Sequence, residues 1–400
     1  MNTGHYYTDG QIAEILARKV AGEDWKTIVN AINKVYGIDV TIHGVRKAYA
    51  RNKDRFSVAK DKVAIEILKE TARTKRANSH VMQRNKFIVE ALVGQDDLKD
   101  QIQDLVDSLA KHKPIKRAKP DTRKPSLTVE MLVSDVHVGK KTDTFNLEVC
   151  RQRLRLFTQV TLTDIARKSA HYSVDRIVVA ILGDLIENAL MHGKESMAGC
   201  EFDNAEQVRW AIELLYAEVL LPIAQLGIAV DVVCIGGNHD RQEERPTFNN
   251  PGKNGLSWVI YQLLKMLSDR AGLKHLTWHI PEGVYQVLDI YGTKILYEHG
   301  DRIPGGNSKV AFMNQLAKRG AQLGVLLHGG RFGHWHAFSL YENGAAIVNG
   351  SVPGQDSYAD VNGFNSLPGQ VITYYVKTKN RDNAYWYSWL VQLGQTEVKK

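Results

Sequence analysis

Apolar residues recur at helical spacing at the start of the chain. Ile12, Ile15 and Leu16, then Trp25, Ile28, Val29 and Ile32, then Ile42, Val45 and Tyr49 each mark one helix face. Gly22 and Gly37 break the pattern, and Asp9 and Thr41 stand where N-caps belong. Three short helices over about Thr8 to Arg55 predict a helix-turn-helix arrangement. The third, about Thr41 to Arg51, carries His43, Arg46, Lys47 and Arg51 off its apolar face, with Lys53 and Arg55 just beyond. An apolar face for docking and a basic face for phosphates and base edges suit a DNA-recognition helix. A three-helix bundle with a solvated basic face fits the same pattern.

From about Val58 to Lys124 the pattern reads as helices followed by a linker. Leu98, Ile102, Leu105 and Leu109 form a short heptad stripe, suited to packing on a neighbouring helix or to homo-oligomerisation. Lys111–Pro125 is rich in Lys, Arg and Pro and has the composition of a tether.

Beyond Ser126 apolar runs alternate with helical patterns. Strands are expected at Leu127–Val133, Ile177–Leu182 and Ile228–Ile235, with helices at Asn146–Ser169 and Asn204–Gln225. Val284–Ile290 and Lys294–Tyr297 flank Gly292 as a hairpin. Phe338–Tyr341 and Ala346–Val348 flank Asn343-Gly344, a type I′ turn signal. Alternation followed by hairpins predicts mixed sheets with helices packed outside. The expected division is residues 1–57, a helix-turn-helix-like domain; 58–125, a helical connector and basic linker; and 126–400, an α/β domain.

Composition changes this picture in one respect. The chain of 400 residues has a formal charge of +8. Residues 1–125 hold 25 basic and 16 acidic side chains, against 27 and 28 in the remainder. The basic excess is therefore N-terminal, which directs the expectation of an acidic partner to that region. Cys150, Cys200 and Cys234 are odd in number and lack metal-ligand spacing, so a disulfide framework is not expected. No signal peptide and no membrane span is read, which predicts an intracellular, cytoplasmic protein.

Candidate chemistry sits at the strand ends. Ser134-Asp135-Val136-His137 follows the first strand, Gly183-Asp184-Leu185-Ile186-Glu187 the second, and Gly236-Gly237-Asn238-His239-Asp240 the third. Glu298-His299-Gly300-Asp301 and Gly333-His334-Trp335-His336 close later apolar runs. Carboxylate, imidazole and amide oxygen together suit divalent Mn, Fe or Zn, and the absence of Cys argues against structural zinc. On an extended segment, D-x-H and H-x-H place two donors on one side.

These five blocks, in this order, resemble the calcineurin-like metallophosphoesterase superfamily over about Thr128 to Val376. The resemblance implies a four-layer α/β/β/α sandwich, here preceded by the small all-α helix-turn-helix-like domain. It implies a centre of two divalent metals, with manganese expected and iron, zinc or magnesium as alternatives. Asp135, His137 and His336 would hold one, Asn238, His299 and His334 the other, and Asp184 would bridge them. A hydroxide held between the metals would attack phosphorus. His239 would assist the leaving oxygen, with Asp240 orienting it.

The G-D-L and G-N-H-D blocks also resemble the nuclease branch, including double-strand-break repair exonucleases and phage phosphoesterases. Two departures stand out. Glu187 occupies a place where those nucleases commonly carry His, with His192 as a candidate substitute, and no long capping region follows the last motif. A helix-turn-helix joined to a phosphoesterase is similar to phage-encoded or mobile-element enzymes. The expected function is DNA hydrolysis, exo- or endonucleolytic, with the N-terminal domain targeting nucleic acid. The alternatives are action on small nucleotides or a phosphoprotein, with the N-terminal helices used for assembly, and a DNA-binding regulator with an inactive phosphoesterase domain. Arg241, Arg302, Arg245 and Lys253 follow ligand motifs and are candidate phosphate contacts. Asn349-Gly350-Ser351 is read as either the mouth of the site or a simple turn.

Overall fold

The computed structural model describes residues 7–52, 115–189, 191, 199–242, 248–354, 367–377 and 384–394. The chain divides into two units, Met1–Gly94 and Gln95–Lys400. The boundary, the heptad stripe, Lys53 and His192 lie outside the described residues.

The first unit contains α1 (Asp9–Val20), α2 (Trp25–Tyr36) and α3 (Ile42–Asn52). Ile15, Ile28, Val29, Ile32, Val40, Val45 and Ala48 form its core. Thr8, rather than Asp9, caps α1. Its hydroxyl accepts the Gln11 N–H while Gln11 Oε1 accepts the Thr8 N–H, a reciprocal box that Asp9 is one residue too late to make. Asp24 caps α2, and Thr41 Oγ1 accepts the Gly44 N–H at the start of α3. Ile42 is exposed, contrary to expectation, because α3 is phased on Val45 and Ala48. His43, Arg46, Lys47 and Arg51 share the exposed face.

The second unit has two sheets. The first has strand order β11-β10-β1-β2-β3-β4: β1 (Ser126–Val133), β2 (Ser173–Ile181), β3 (Ala229–Cys234), β4 (Leu276–His279), β10 (Gly369–Val376) and β11 (Tyr385–Gln392). β1 to β4 run parallel, and β10 and β11 join antiparallel. The second has order β5-β6-β7-β9-β8: β5 (Tyr285–Ile290), β6 (Thr293–Glu298), β7 (Gly329–Phe332), β8 (Ser339–Tyr341) and β9 (Ala346–Val348). The predicted type I′ turn forms, with Asn343 at φ 52° and ψ 39°, Gly344 at φ 91°, and the Ala345 N–H bonded to Glu342 O.

Helices cover the outer faces. The helix expected over Asn204–Gln225 is α5. It runs as Asn204–Leu214, passes through a π-helical stretch, Leu215–Leu220, and ends as Leu221–Ala224. It packs on the first sheet with α4 (Leu147–Lys168) and α6 (Leu256–Arg270), while α7 (Lys309–Leu323) packs on the second. Within the π-helical stretch, buried Glu218 accepts from Arg151 and Arg155 of α4 at 3.2 and 2.9 Å. Leu127, Val129, Met131 and Val133 of β1 face the helices, while Leu132 faces the second sheet. Thr128 and Glu130 alternate with the helix-facing residues, yet both are fully buried, because β1 is covered on both faces. The architecture is the expected α/β/β/α sandwich.

The described part of the basic tether is not a free linker. Ala118 N–H bonds Gly227 O at 2.8 Å, Asp121 N–H bonds Ser173 Oγ at 2.9 Å, and Lys124 Nζ donates to Ser169 O at 2.7 Å. Backbone groups of the stretch thus find partners on the second unit, which its composition did not reveal.

Candidate metal centre

The carboxyl ends of β1, β2, β3, β6 and β7 converge, as strand ends do where α/β folds build sites. Two donor groups meet there. Asp135, His137 and His336 form one, and Asp184, His299 and His334 the other, while His137 is also shared with a third group, His137, Glu187 and His239, each with ligand atoms within 4.8 Å of one another. His137 Nε2 lies 3.1 Å from His336 Nε2, and His336 Nε2 lies 3.3 Å from Asp135 Oδ1. Asn238 Oδ1 and Asp184 Oδ2 lie 3.1 and 3.2 Å from His299 Nε2. All seven side chains named for this site from the sequence are therefore together.

The backbone achieves this differently from the extended geometry expected. Asp135, His137, Asp184, His334 and His336 all have positive φ, from 50° to 74°. Left-handed backbone at residues other than glycine costs energy and persists where the surroundings impose it. In D-x-H and H-x-H the left-handed residues are the donors themselves, so tight turns aim both side chains inward. Close backbone approach adds a second constraint. A Cβ on Gly183 would lie 2.5 Å from the Gly237 backbone, and one on Gly237 would lie 2.1 Å from Asp184 Oδ1.

Polar partners fix the donors. His137 Nδ1 meets Glu187 Oε2 at 2.7 Å, and Lys140 Nζ meets Glu187 Oε1 at 3.3 Å. His299 Nδ1 donates to the Leu182 carbonyl at 2.6 Å. Each imidazole thus keeps Nε2 turned toward the cluster, the arrangement of a metal-binding histidine. Asp135 and Asp184 are buried, and among the described residues neither pairs with Lys or Arg. Although burial opposes charge on His299, Asp184 and Asp135 push its pKa up to about 10. A buried set of two carboxylates, imidazoles and an amide oxygen, without thiolate, fits divalent cations of the manganese–iron–zinc type.

No family model and no curated protein matches the chain. Among solved structures it is similar to zinc-complexed Vps29 from Entamoeba histolytica, at 15% identity and TM-score 0.28, covering 66% of this chain and 99% of that one. A predicted phosphoesterase from Streptococcus pneumoniae TIGR4 matches at 13% identity and TM-score 0.27, covering 66% and 98%. An archaeal phosphodiesterase matches at 10% identity and TM-score 0.30, covering 66% and 99%. At these scores the likenesses carry no argument about chemistry, which rests on the site itself.

Around the donors, several residues fall otherwise than expected. Asp240 does not orient the His239 ring. Its carboxylate accepts the backbone N–H groups of Asp184, Leu185 and Gly237 at 2.8–2.9 Å. It is buried beneath the loops, and burial together with the Asp184 charge pushes its pKa up to about 6. His239 Nδ1 instead lies 2.7 Å from the Glu187 carbonyl. Because a carbonyl only accepts, Nδ1 carries a hydrogen and proton exchange falls to Nε2.

Glu187 and Asn188 were missed as supports. Asn188 Nδ2 donates to His239 O and Arg241 O at 2.8 and 2.7 Å. Their position in the G-D-L-I-E-N run was the only signal available. Arg241 and Arg302 both approach Asp301, and Lys253 pairs with Glu282. Arg245 and His192 lie outside the described residues. Asn349 is buried and joins Leu132, Ser134 and Gln370, so it braces the sheet rather than lining the mouth. Trp335 packs edge-on against Phe312 and so lies with the α7 core, and its ring also meets that of His334 edge-on.

Proposed function

We propose that the second unit is a two-metal phosphodiesterase that hydrolyses DNA, targeted by the first unit. The observation that carries this reading is the convergence of seven donors from five strand ends, five of them on left-handed backbone. Asp135, His137 and His336 would hold one divalent cation, Asn238, His299 and His334 the second, with Asp184 shared and manganese the expected ion. When bound, the cations supply Lewis-acid activation of water and neutralise charge on the phosphoryl oxygens. The chain's own part is to hold the donors rigid and to move a proton. His239 Nε2, opposite the anchored Nδ1, delivers that proton to the leaving oxygen. The complete donor set disfavours a regulator with an inactive domain.

DNA as substrate is supported by α3, whose exposed face carries His43, Arg46, Lys47 and Arg51 without an acidic residue. Phosphate contacts displace counterions, so binding should weaken with salt. In Arg46→Ala/Lys47→Ala, the slope of log K against log salt should fall by about one for each phosphate no longer neutralised. Fluorescence anisotropy on labelled DNA reads this, and an unchanged slope removes α3 from the interface.

The deciding experiment offers metal-loaded protein bis(p-nitrophenyl) phosphate, single-stranded DNA and duplex DNA. Diester turnover without DNA cleavage would exclude the nuclease reading. Inactivity with Mn, Mg, Zn and Fe would exclude the enzyme. His239→Gln is expected to retain its metals by mass spectrometry and to lose about 10²–10⁴ in kcat. Parallel loss of metal and rate would instead make His239 part of the metal cage.

A further inference from the structure

Two loops that carry metal donors are joined at the surface by charge. Arg241 follows His239-Asp240, and Asp301 follows His299-Gly300. The Arg241 guanidinium pairs through Nη2 with Asp301 Oδ2, and Arg302 Nε lies 3.9 Å from the same oxygen. The side chains of Arg241, Asp301 and Arg302 are 18%, 12% and 27% exposed, at the rim rather than in the core. The Arg241 backbone is fixed on both sides, by Asn188 Nδ2 at 2.7 Å and by a bridge to Gly255.

A loop cross-link needs one cation and one anion. Here, among the described residues, two guanidinium groups flank one carboxylate on the loops that carry the Asn238 and His299 donors. A guanidinium offers five N–H donors in a planar fork, and an edge contact with a carboxylate uses at most two. Asp301 thus sets the plane of Arg241 without consuming its capacity for an oxyanion, and such forks match phosphate geometry.

We propose that Arg241, oriented by Asp301 and backed by Arg302, binds a second phosphate of the substrate, next to the one being cleaved. Resting on the hydrolase reading above, this makes the preferred substrate a strand with consecutive phosphates rather than an isolated diester. The nearly neutral second unit then has its own means of recognising a polynucleotide backbone.

The test compares the dinucleotide TpT, which has one phosphate, with pTpT and TpTp, which add a second on either side. Wild-type protein should prefer one of the two-phosphate substrates over TpT in kcat/KM by about tenfold to a hundredfold, the range of a charge-assisted contact. Arg241→Gln should abolish that ratio, whatever its rate on TpT. The exchange Arg241→Asp/Asp301→Arg restores a cross-link of opposite sense, so a structural pair would recover the ratio and a phosphate site would not. Turnover of TpT without preference, or a preference that survives Arg241→Gln or returns in the exchange, overturns the subsite alone. Absence of turnover of all three substrates with every metal overturns the hydrolase reading, and the subsite with it.

Discussion

Replacing Asp184 with alanine is expected to cut diester hydrolysis by on the order of 10³-fold or more while leaving the protein folded. Asp184 is buried at the meeting point of the two donor groups. Its Oδ2 faces His299 Nε2 at 3.2 Å, and its Oδ1 accepts the His239 N–H at 2.8 Å. The substitution therefore removes a shared metal donor and the acceptor that places the His239 backbone. Asp184→Asn separates these effects, because the amide oxygen can still accept the His239 N–H but carries no charge. Both variants should lose bound metal by mass spectrometry, and the alanine variant should be the slower on bis(p-nitrophenyl) phosphate.

In metal-free protein the Asp184 charge acts in two directions. It raises the Asp240 pKa, but although burial opposes its own charge, His299 and His239 hold the Asp184 carboxylate well below the ordinary range, and its Oδ1 accepts the His239 N–H. Alanine removes that acceptor and the charge beside His299, so the metal-free variant should melt below metal-free wild type. Turnover within about tenfold of wild type would remove Asp184 from the centre.

The donors were legible in the sequence because each closes an apolar run, and strand ends are where α/β folds expose side chains. Their backbone was not. Left-handed φ at Asp135 and His336 is imposed by contacts such as the His334 N–H on Asp135 Oδ1, between residues 199 positions apart. Glu187 was visible only as a departure from a nuclease pattern, and its bond to His137 spans 50 residues. Asp240 was assigned to its sequence neighbour, His239. In space its carboxylate points back to the Asp184 turn, satisfying three N–H groups, two of them buried, that lie outside the strand ladder. In each case the local pattern names the residue type, while the partner depends on which strands become neighbours.

The largest stability effect is expected at a pair that local sequence pattern could not reveal. Glu130 of β1 and Arg331 of β7 are fully buried between the two sheets, with Arg331 Nε 2.8 Å from Glu130 Oε2. Tyr297 of β6 and Tyr375 of β10 donate to the same carboxylate at 2.6 and 3.0 Å. Burial alone would disfavour the charge on Arg331, but Tyr375 and Glu130 hold its pKa above the ordinary value. Arg331→Met strands a carboxylate in the core, and breaking such a pair costs about 3–5 kcal/mol. Adding Glu130→Gln removes the stranded charge and keeps partners for both tyrosine hydroxyls, so it should recover at least about half of that loss. The same pair connects strands that end in the site, since Glu130 precedes Asp135 and Arg331 precedes His334 on their respective runs. The single variant should therefore also bind metal more weakly, and the double variant should regain both properties together. Thermal melts and metal titrations of the two variants read this. A double variant no more stable than Arg331→Met would mean that the missing Arg331 bonds to the Gly330 and Gly344 carbonyls, not the stranded charge, set the cost.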